Sequence, residues 1–159
     1  MLTASLVRRH EGLRLTAYRD SVGKLTIGYG FNLDAGAARA ICASLKLGYE
    51  AIRNGSPITE AQADAILDLQ LGMVNAQAKT LFPNFSQMPA DVQSVVQDLI
   101  FNMGLAKFSS FDETVPALQQ GKYAEAADLL EKTLWYKETK SRAVEDVALL
   151  RGDAKLEVV

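Results

Sequence analysis

The chain is poor in the residues that staple, ligate or anchor a protein. Its one cysteine, Cys42, excludes an internal disulfide. His10 is the single histidine, and one His with one Cys does not make the spacings of common zinc sites. No metal and no cofactor is therefore expected. There is no basic excess: 17 Lys and Arg stand against 19 Asp and Glu, a net charge of −2. That balance argues against nucleic acid as a partner and gives no general attraction to anionic surfaces. No apolar run approaches the roughly 20 residues of a membrane span, so no stable membrane association is expected. Arg8, Arg9 and Glu11 stand where a signal peptide would place apolar residues. Neither an export signal nor a transmembrane segment is expected.

What is present suits one domain over residues 1–159. A chain of 159 residues with 48% hydrophobic and 23% charged content can bury a sizeable core. Leu2 to Glu11 reads as a short amphipathic helix, with Thr3 as its cap, a Leu2–Val7 staple and Gly12 as its stop. Thr16–Asp20 and Lys24–Gly28 read as strands around Ser21-Val22-Gly23, a three-residue turn ending in Gly that fits a bulged hairpin. Phe31–Leu33 reads as a third short strand.

From Asp34 onward the pattern is helical. Asp34 is expected to cap a helix over Ala37–Leu45. Thr59 is expected to cap a helix reaching Leu81, with Leu67, Leu71, Val74 and Ala78 on one face. Pro83 stops it. Further helices are expected at Ala90–Met103, Phe111–Gln120, Tyr123–Leu134 and Thr139–Leu150, with breaks at Gly104 and Gly121. The fold class is α+β. A small antiparallel sheet lobe of about residues 1–58 is joined by a long helix to a helical lobe of about residues 59–159.

Glu11, Asp20 and Thr26 carry the chemistry. Ala4, Val7 and Glu11 share one helical stripe, so Glu11 falls where burial is expected and at a helix C-terminus. Both settings disfavour its charged form, which is what a general acid requires. If Asp20 pairs with Lys24, Tyr18 pairs with Thr26, and all four share one sheet face. Asp20 and Thr26 are then diagonal neighbours, roughly 7–8 Å apart at the backbone, and can hold one water between them. An acid opposite a water-holding carboxylate is the layout of an inverting glycosidase. Closely spaced carboxylates would mean a retaining one, and the spacing in sequence leaves both open.

Arg9-His10-Glu11-Gly12-Leu13-Arg14, Tyr18-Arg19-Asp20 and Thr26-Ile27-Gly28-Tyr29-Gly30 resemble the phage-type lysozymes, glycoside hydrolase family 24, of the T-even type. The resemblance continues through Phe101-Asn102-Met103-Gly104, Gln119-Gln120, Ala126-Ala127, Trp135-Tyr136, Thr139 and Arg142-Ala143, and is least clear over residues 34–58. It implies a lysozyme-like fold and hydrolysis of the β-1,4 bond between N-acetylmuramic acid and N-acetylglucosamine in bacterial peptidoglycan. It implies Glu11 as general acid, with Asp20 and Thr26 placing the water. Arg142 matches the arginine that supports the glutamate, and Asn32, Phe101 and Thr114 match substrate-binding positions. Trp135 matches a buried tryptophan, whose indole N–H needs a partner; Asn102 is the candidate. Phe31 departs from the family's His.

The resemblance also implies an endolysin that lyses the host wall for phage release. It would be held in the host cytoplasm, reach the periplasm at lysis through a separate holin pore, and act as a monomer by default. A tail-associated lysozyme is the near alternative. Other readings are a lytic transglycosylase, a chitin-cleaving enzyme and a non-catalytic peptidoglycan-binding module. A transglycosylase has no use for a water-placing pair, and a dead module would be expected to have lost Glu11, Asp20 or Thr26. His10 is expected at the surface or in packing, and Cys42 in the core.

Overall fold

The computed structural model describes residues 2–157, without the side chain of Leu2, so the expected Leu2–Val7 staple lies outside the described residues. The chain divides into two compact units, Val7–Gly72 and a second made of Met1–Leu6 with Met73–Val159. Two helices, α1 (Leu2–Glu11) and α4 (Glu60–Leu81), contribute residues to both. A three-stranded antiparallel sheet near the N-terminus and a mostly helical remainder make the α+β fold expected from the sequence.

In the first unit, Gly12 takes φ +69° and donates its N–H to the Arg8 carbonyl at 3.0 Å, ending α1. The strands β1 (Arg14–Arg19), β2 (Leu25–Gly28) and β3 (Phe31–Asn32) lie in chain order. Tyr18 faces Thr26, as the three-residue turn requires, and Gly23 takes φ +84° at the bulge. Thr26 faces Asn32 in turn, and Ile27 faces Phe31. Ile27 and Phe31 are both buried. Strand β1 begins earlier than expected, with Arg14 opposite Gly28 and a register irregularity before Tyr18.

Residues 34–58 correct one expectation. Asp34 caps no helix: α2 (Ala38–Ser44) follows Ala37, with no side-chain cap. The Asp34 carboxylate instead accepts the Leu25 N–H at 2.9 Å and pairs with Arg53 at 2.8 Å. That N–H, then Arg53, hold its carboxyl below the usual range. Arg53 sits on α3 (Tyr49–Arg53), a helix absent from the sequence reading. The Tyr49 ring has Arg39 at 4.5 Å and Arg53 at 5.5 Å, and its hydroxyl donates to the Leu33 carbonyl at 2.8 Å. Cys42 is buried on α2 as expected, and burial pushes its thiol pKa up. Thr59 and Gln62 form a reciprocal cap on α4, each side chain accepting the other's N–H at 3.1 and 2.8 Å. Leu67, Leu71, Val74 and Ala78 are all buried along it.

In the second unit, α5 (Ala90–Met103) matches its expected bounds and packs against α10 (Ser141–Arg151) and α6 (Leu105–Ser109). Thr3 is no cap. It lies inside α1, buried, and its hydroxyl bonds to the Gln97 carboxamide and meets the Ser94 hydroxyl at 3.1 Å. The expected Phe111–Gln120 helix is α7 (Thr114–Gln119), because a turn from Phe111 N–H to the Phe108 carbonyl precedes it. The expected Tyr123–Leu134 helix stops as α8 (Tyr123–Glu131), because Thr133 caps a separate helix, α9 (Leu134–Thr139), by accepting the Tyr136 N–H. Lys140 then turns at φ +55°, which delays α10 to Ser141. Trp135 is buried and donates its indole N–H to Asn102 at 2.9 Å, as the sequence anticipated.

Charge also lies in this interior. Asp98 on α5 is fully buried and takes a two-pronged bond from Arg142 on α10, at 2.8 Å for each prong. Asp146, one turn further along α10, is equally buried, and neither of its oxygens meets a hydrogen-bond donor among the described residues. Burial first, then the Asp98 charge, push its pKa well above the usual range, against a weaker opposing pull from Arg142. An acid whose pKa is raised on folding stabilises fully below its unfolded pKa, near 4, and loses that contribution as pH rises through the folded value. We expect Asp146→Asn to gain on wild type by up to about 1.4 kcal/mol for each pH unit between the unfolded and the folded pKa, and no further above the folded one. Urea unfolding of both proteins between pH 4 and 8 checks this, and parallel stability profiles would refute it.

Candidate active site

Three of the expected site residues and one expected contact residue lie in the first unit: Glu11, Asp20, Thr26 and Asn32. Asp20 follows β1 directly, and its Oδ1 accepts the N–H groups of Val22 at 3.0 Å and Lys24 at 2.8 Å. This is the Asx-type bonding that makes aspartate a turn residue. The Asp20 N–H returns a bond to the Lys24 carbonyl at 2.9 Å. The buried Thr26 donates its hydroxyl to that same carbonyl at 3.0 Å. Asp20 and Thr26 are thus both tied to the peptide groups of Lys24. No hydrogen bond reaches Asp20 Oδ2 among the described residues, and Thr26 Oγ1, having given its proton away, presents lone pairs alone.

Glu11 ends α1, half-buried. Its carboxyl group lies against the backbone of Gly30, in the turn between β2 and β3. Gly30 takes φ +70°, and a Cβ there would stand 2.8 Å from the Glu11 carboxyl carbon. Glycine at 30 therefore suits the left-handed turn and leaves room for the Glu11 carboxyl group that rests on it. Helix α1 carries a second tether, since Arg8 bonds Asp64 on α4 at 2.8 Å and lies 5.6 Å from the centre of the Tyr29 ring. Asn32 stands across from Thr26, and its side-chain oxygen accepts the Asp34 N–H at 2.9 Å.

The other expected residues belong to the second unit. Phe101, late in α5, is half-buried against the core. Thr114 opens α7, only 3% exposed, and lines a cavity of about 540 Å³ with Phe111, Asp112, Glu113, Leu129 and Thr133. Arg142 is buried in the bond to Asp98 described above. His10 is half-buried. Among the described residues no helix is long and apolar enough to cross a membrane.

Sequence reasoning missed the contact of Gly30 with Glu11, and it missed Asp98 and Asp146. A signal existed for Asp98: it follows Val95 by three residues in a helix apolar on that face, so a charge there called for a buried cation. Asp146 follows Arg142 by four and Ala143 by three, the same kind of signal. The part played by Lys24 carried no side-chain signal, because its peptide groups do the bonding.

A family model described as phage lysozyme matches residues 8–150. The pre-baseplate central spike protein Gp5 of Enterobacteria phage T4 is 28% identical over 151 residues, covering 90% of this chain and 26% of that protein. The chain thus spans about a quarter of the spike protein's length. Probable T4-type lysozyme 1 of Dictyostelium discoideum is 22% identical over 150 residues, covering 87% of this chain and 86% of that protein. The endolysin of Acyrthosiphon pisum secondary endosymbiont phage 1 is 27% identical over 122 residues, covering 77% and 70%. With the family pattern running from the end of α1 to the end of α10, the chain belongs to the phage lysozyme family of glycoside hydrolases.

Proposed function

We propose that the protein is a muramidase that hydrolyses the β-1,4 bond between N-acetylmuramic acid and N-acetylglucosamine in bacterial peptidoglycan, acting as an endolysin in host lysis. The observation that carries the reading is the pair of free acceptors left by the Lys24 tether, Asp20 Oδ2 and Thr26 Oγ1. A water donating one hydrogen to each keeps its lone pairs turned away from both. Aimed at an anomeric carbon, it is an oriented nucleophile, and Asp20 takes its proton as the bond forms. Glu11 protonates the leaving oxygen. Arg142 supports Glu11, and Asn32, Phe101 and Thr114 contact the glycan; these four roles follow from the family resemblance. No cofactor enters the scheme. The enzyme works as a monomer and reaches the wall from the host cytoplasm through a separate holin.

The length of β2 supports an inverting outcome. Asp20 sits at the turn before β2, and Glu11 rests at the turn after it. Three steps of about 3.3 Å set the ends of that four-residue strand roughly 10 Å apart, nearer the span that admits a water than the ~5 Å of a retaining pair. The expected product is the α-anomer, read by proton NMR during early digestion. A β-anomer would make Asp20 a nucleophile instead.

A second setting for the same chemistry is favoured by the likeness to the spike protein over 90% of this chain. There the enzyme would be a tail-associated lysozyme. Mass spectrometry of purified virions separates the two, since a released endolysin is absent from them.

Digestion of purified sacculi tests the main reading. Wild type should release reducing-end muropeptides, and Glu11→Gln should lower the rate by about 10²–10⁴-fold with the fold intact. Anhydro products would mean a transglycosylase, and no products from wild type would leave a binding module. Gly30→Ala should lower kcat at least about tenfold and stability by about 1–2 kcal/mol, because the new Cβ displaces Glu11 and the φ is left-handed. Unchanged kcat in a folded Gly30→Ala protein would count against Glu11 as the acid.

A further inference from the structure

Tyr18, Thr26 and Asn32 stand abreast on three adjacent strands, so their side chains share one face of the sheet. Arg14 completes that face. It lies on β1, exposed, with its guanidinium carbon 4.3 Å from the centre of the Tyr18 ring. A cation over an aromatic face is held electrostatically while its N–H edge stays open. Among the described residues no carboxylate lies within ion-pair distance of Arg14. The neighbouring arginines differ: Arg19 lies 3.9 Å from Asp34, Arg53 pairs with Asp34 and Arg39 with Glu50. Arg14 is therefore a cation fixed by a ring, with its carboxylate-binding edge unused, on the sheet face that carries Thr26.

Resting on the muramidase reading, we propose that Arg14 is a specificity residue that binds a carboxylate carried by the peptidoglycan strand. Each muramic acid bears a lactyl arm, which ends in a carboxylate or continues into a stem peptide that carries carboxylates. A polymer of N-acetylglucosamine has neither. A guanidinium can grip such a group with two parallel bonds, which a neutral sugar cannot match. The arginine thus separates the two glycans at a site where backbone and hydroxyl contacts would treat them alike.

Calorimetric titration tests this in a Glu11→Gln background, where no probe is consumed. Three probes are needed: chitotetraose, a peptide-free tetrasaccharide of alternating N-acetylglucosamine and muramic acid, and the same tetrasaccharide bearing stem peptides. Adding Arg14→Gln should weaken binding of an anionic probe about tenfold or more and leave chitotetraose unchanged, with the melting temperature held. Loss on the peptide-free probe assigns the lactyl carboxylate, and loss on the peptide-bearing probe alone assigns the stem. Equal loss on all three, or on none, overturns the proposal while leaving the muramidase reading in place. Failure of both proteins to bind any probe would instead remove the muramidase reading.

Discussion

The backbone of one residue holds the candidate chemistry together. The Lys24 carbonyl receives the Asp20 N–H and the Thr26 hydroxyl, and the Lys24 N–H feeds Asp20 Oδ1. Backbone groups are a firm reference because their positions follow from the hairpin itself. A side chain anchored to another side chain inherits the rotamer freedom of both; one anchored to a strand's peptide inherits almost none. The tether also decides which atoms remain available, since it consumes one carboxylate oxygen and the hydroxyl proton. Geometry and chemical capacity are thus settled by the same three bonds.

The surrounding segment holds that backbone from the other side. Leu25, the next residue, donates its N–H to Asp34 and accepts the Leu33 N–H at 2.8 Å. Asp34 is in turn fixed by Arg53, and Arg53 by the Tyr49 ring and the Leu33 carbonyl. The stretch from residue 34 to 58 is therefore a brace for the start of β2. Its ion pairs are largely exposed, so each contributes little alone. What they supply jointly is position, because the bonds converge on two adjacent backbone segments.

Local rules made much of this legible in the sequence. The hairpin register followed from Ser21-Val22-Gly23, because a three-residue turn with Gly at the left-handed position leaves few pairings for Tyr18 and Thr26. The bounds of α5 followed from an unbroken apolar period between Pro89 and Gly104. Trp135 and Asn102 met because a buried indole must find an acceptor. Other features depended on partners distant in the chain. Asp34 looked like a cap because aspartate before a helix commonly is one, yet the free Leu25 N–H and Arg53 competed for it and won. Thr3 was drawn from its cap by polar groups on α5, 91 and 94 residues away. Lys140 broke one apparent helix into two through a backbone angle that no periodicity reports.

On the muramidase reading, the chain's charge constrains how it can find an anionic polymer. With a net charge of −2, it gains no long-range attraction to the wall, and at physiological salt any field fades within about 8 Å. Recognition must then come from contacts made at the surface of the site. In that setting one well-placed cation matters more than several scattered ones, because it acts inside the screening length and in a fixed direction. Flexible lysines would lose rotamer freedom on binding, whereas a guanidinium already resting on Tyr18 has lost much of its own beforehand. An acidic enzyme and an anionic substrate are compatible on these terms, provided the attraction is local and pre-organised.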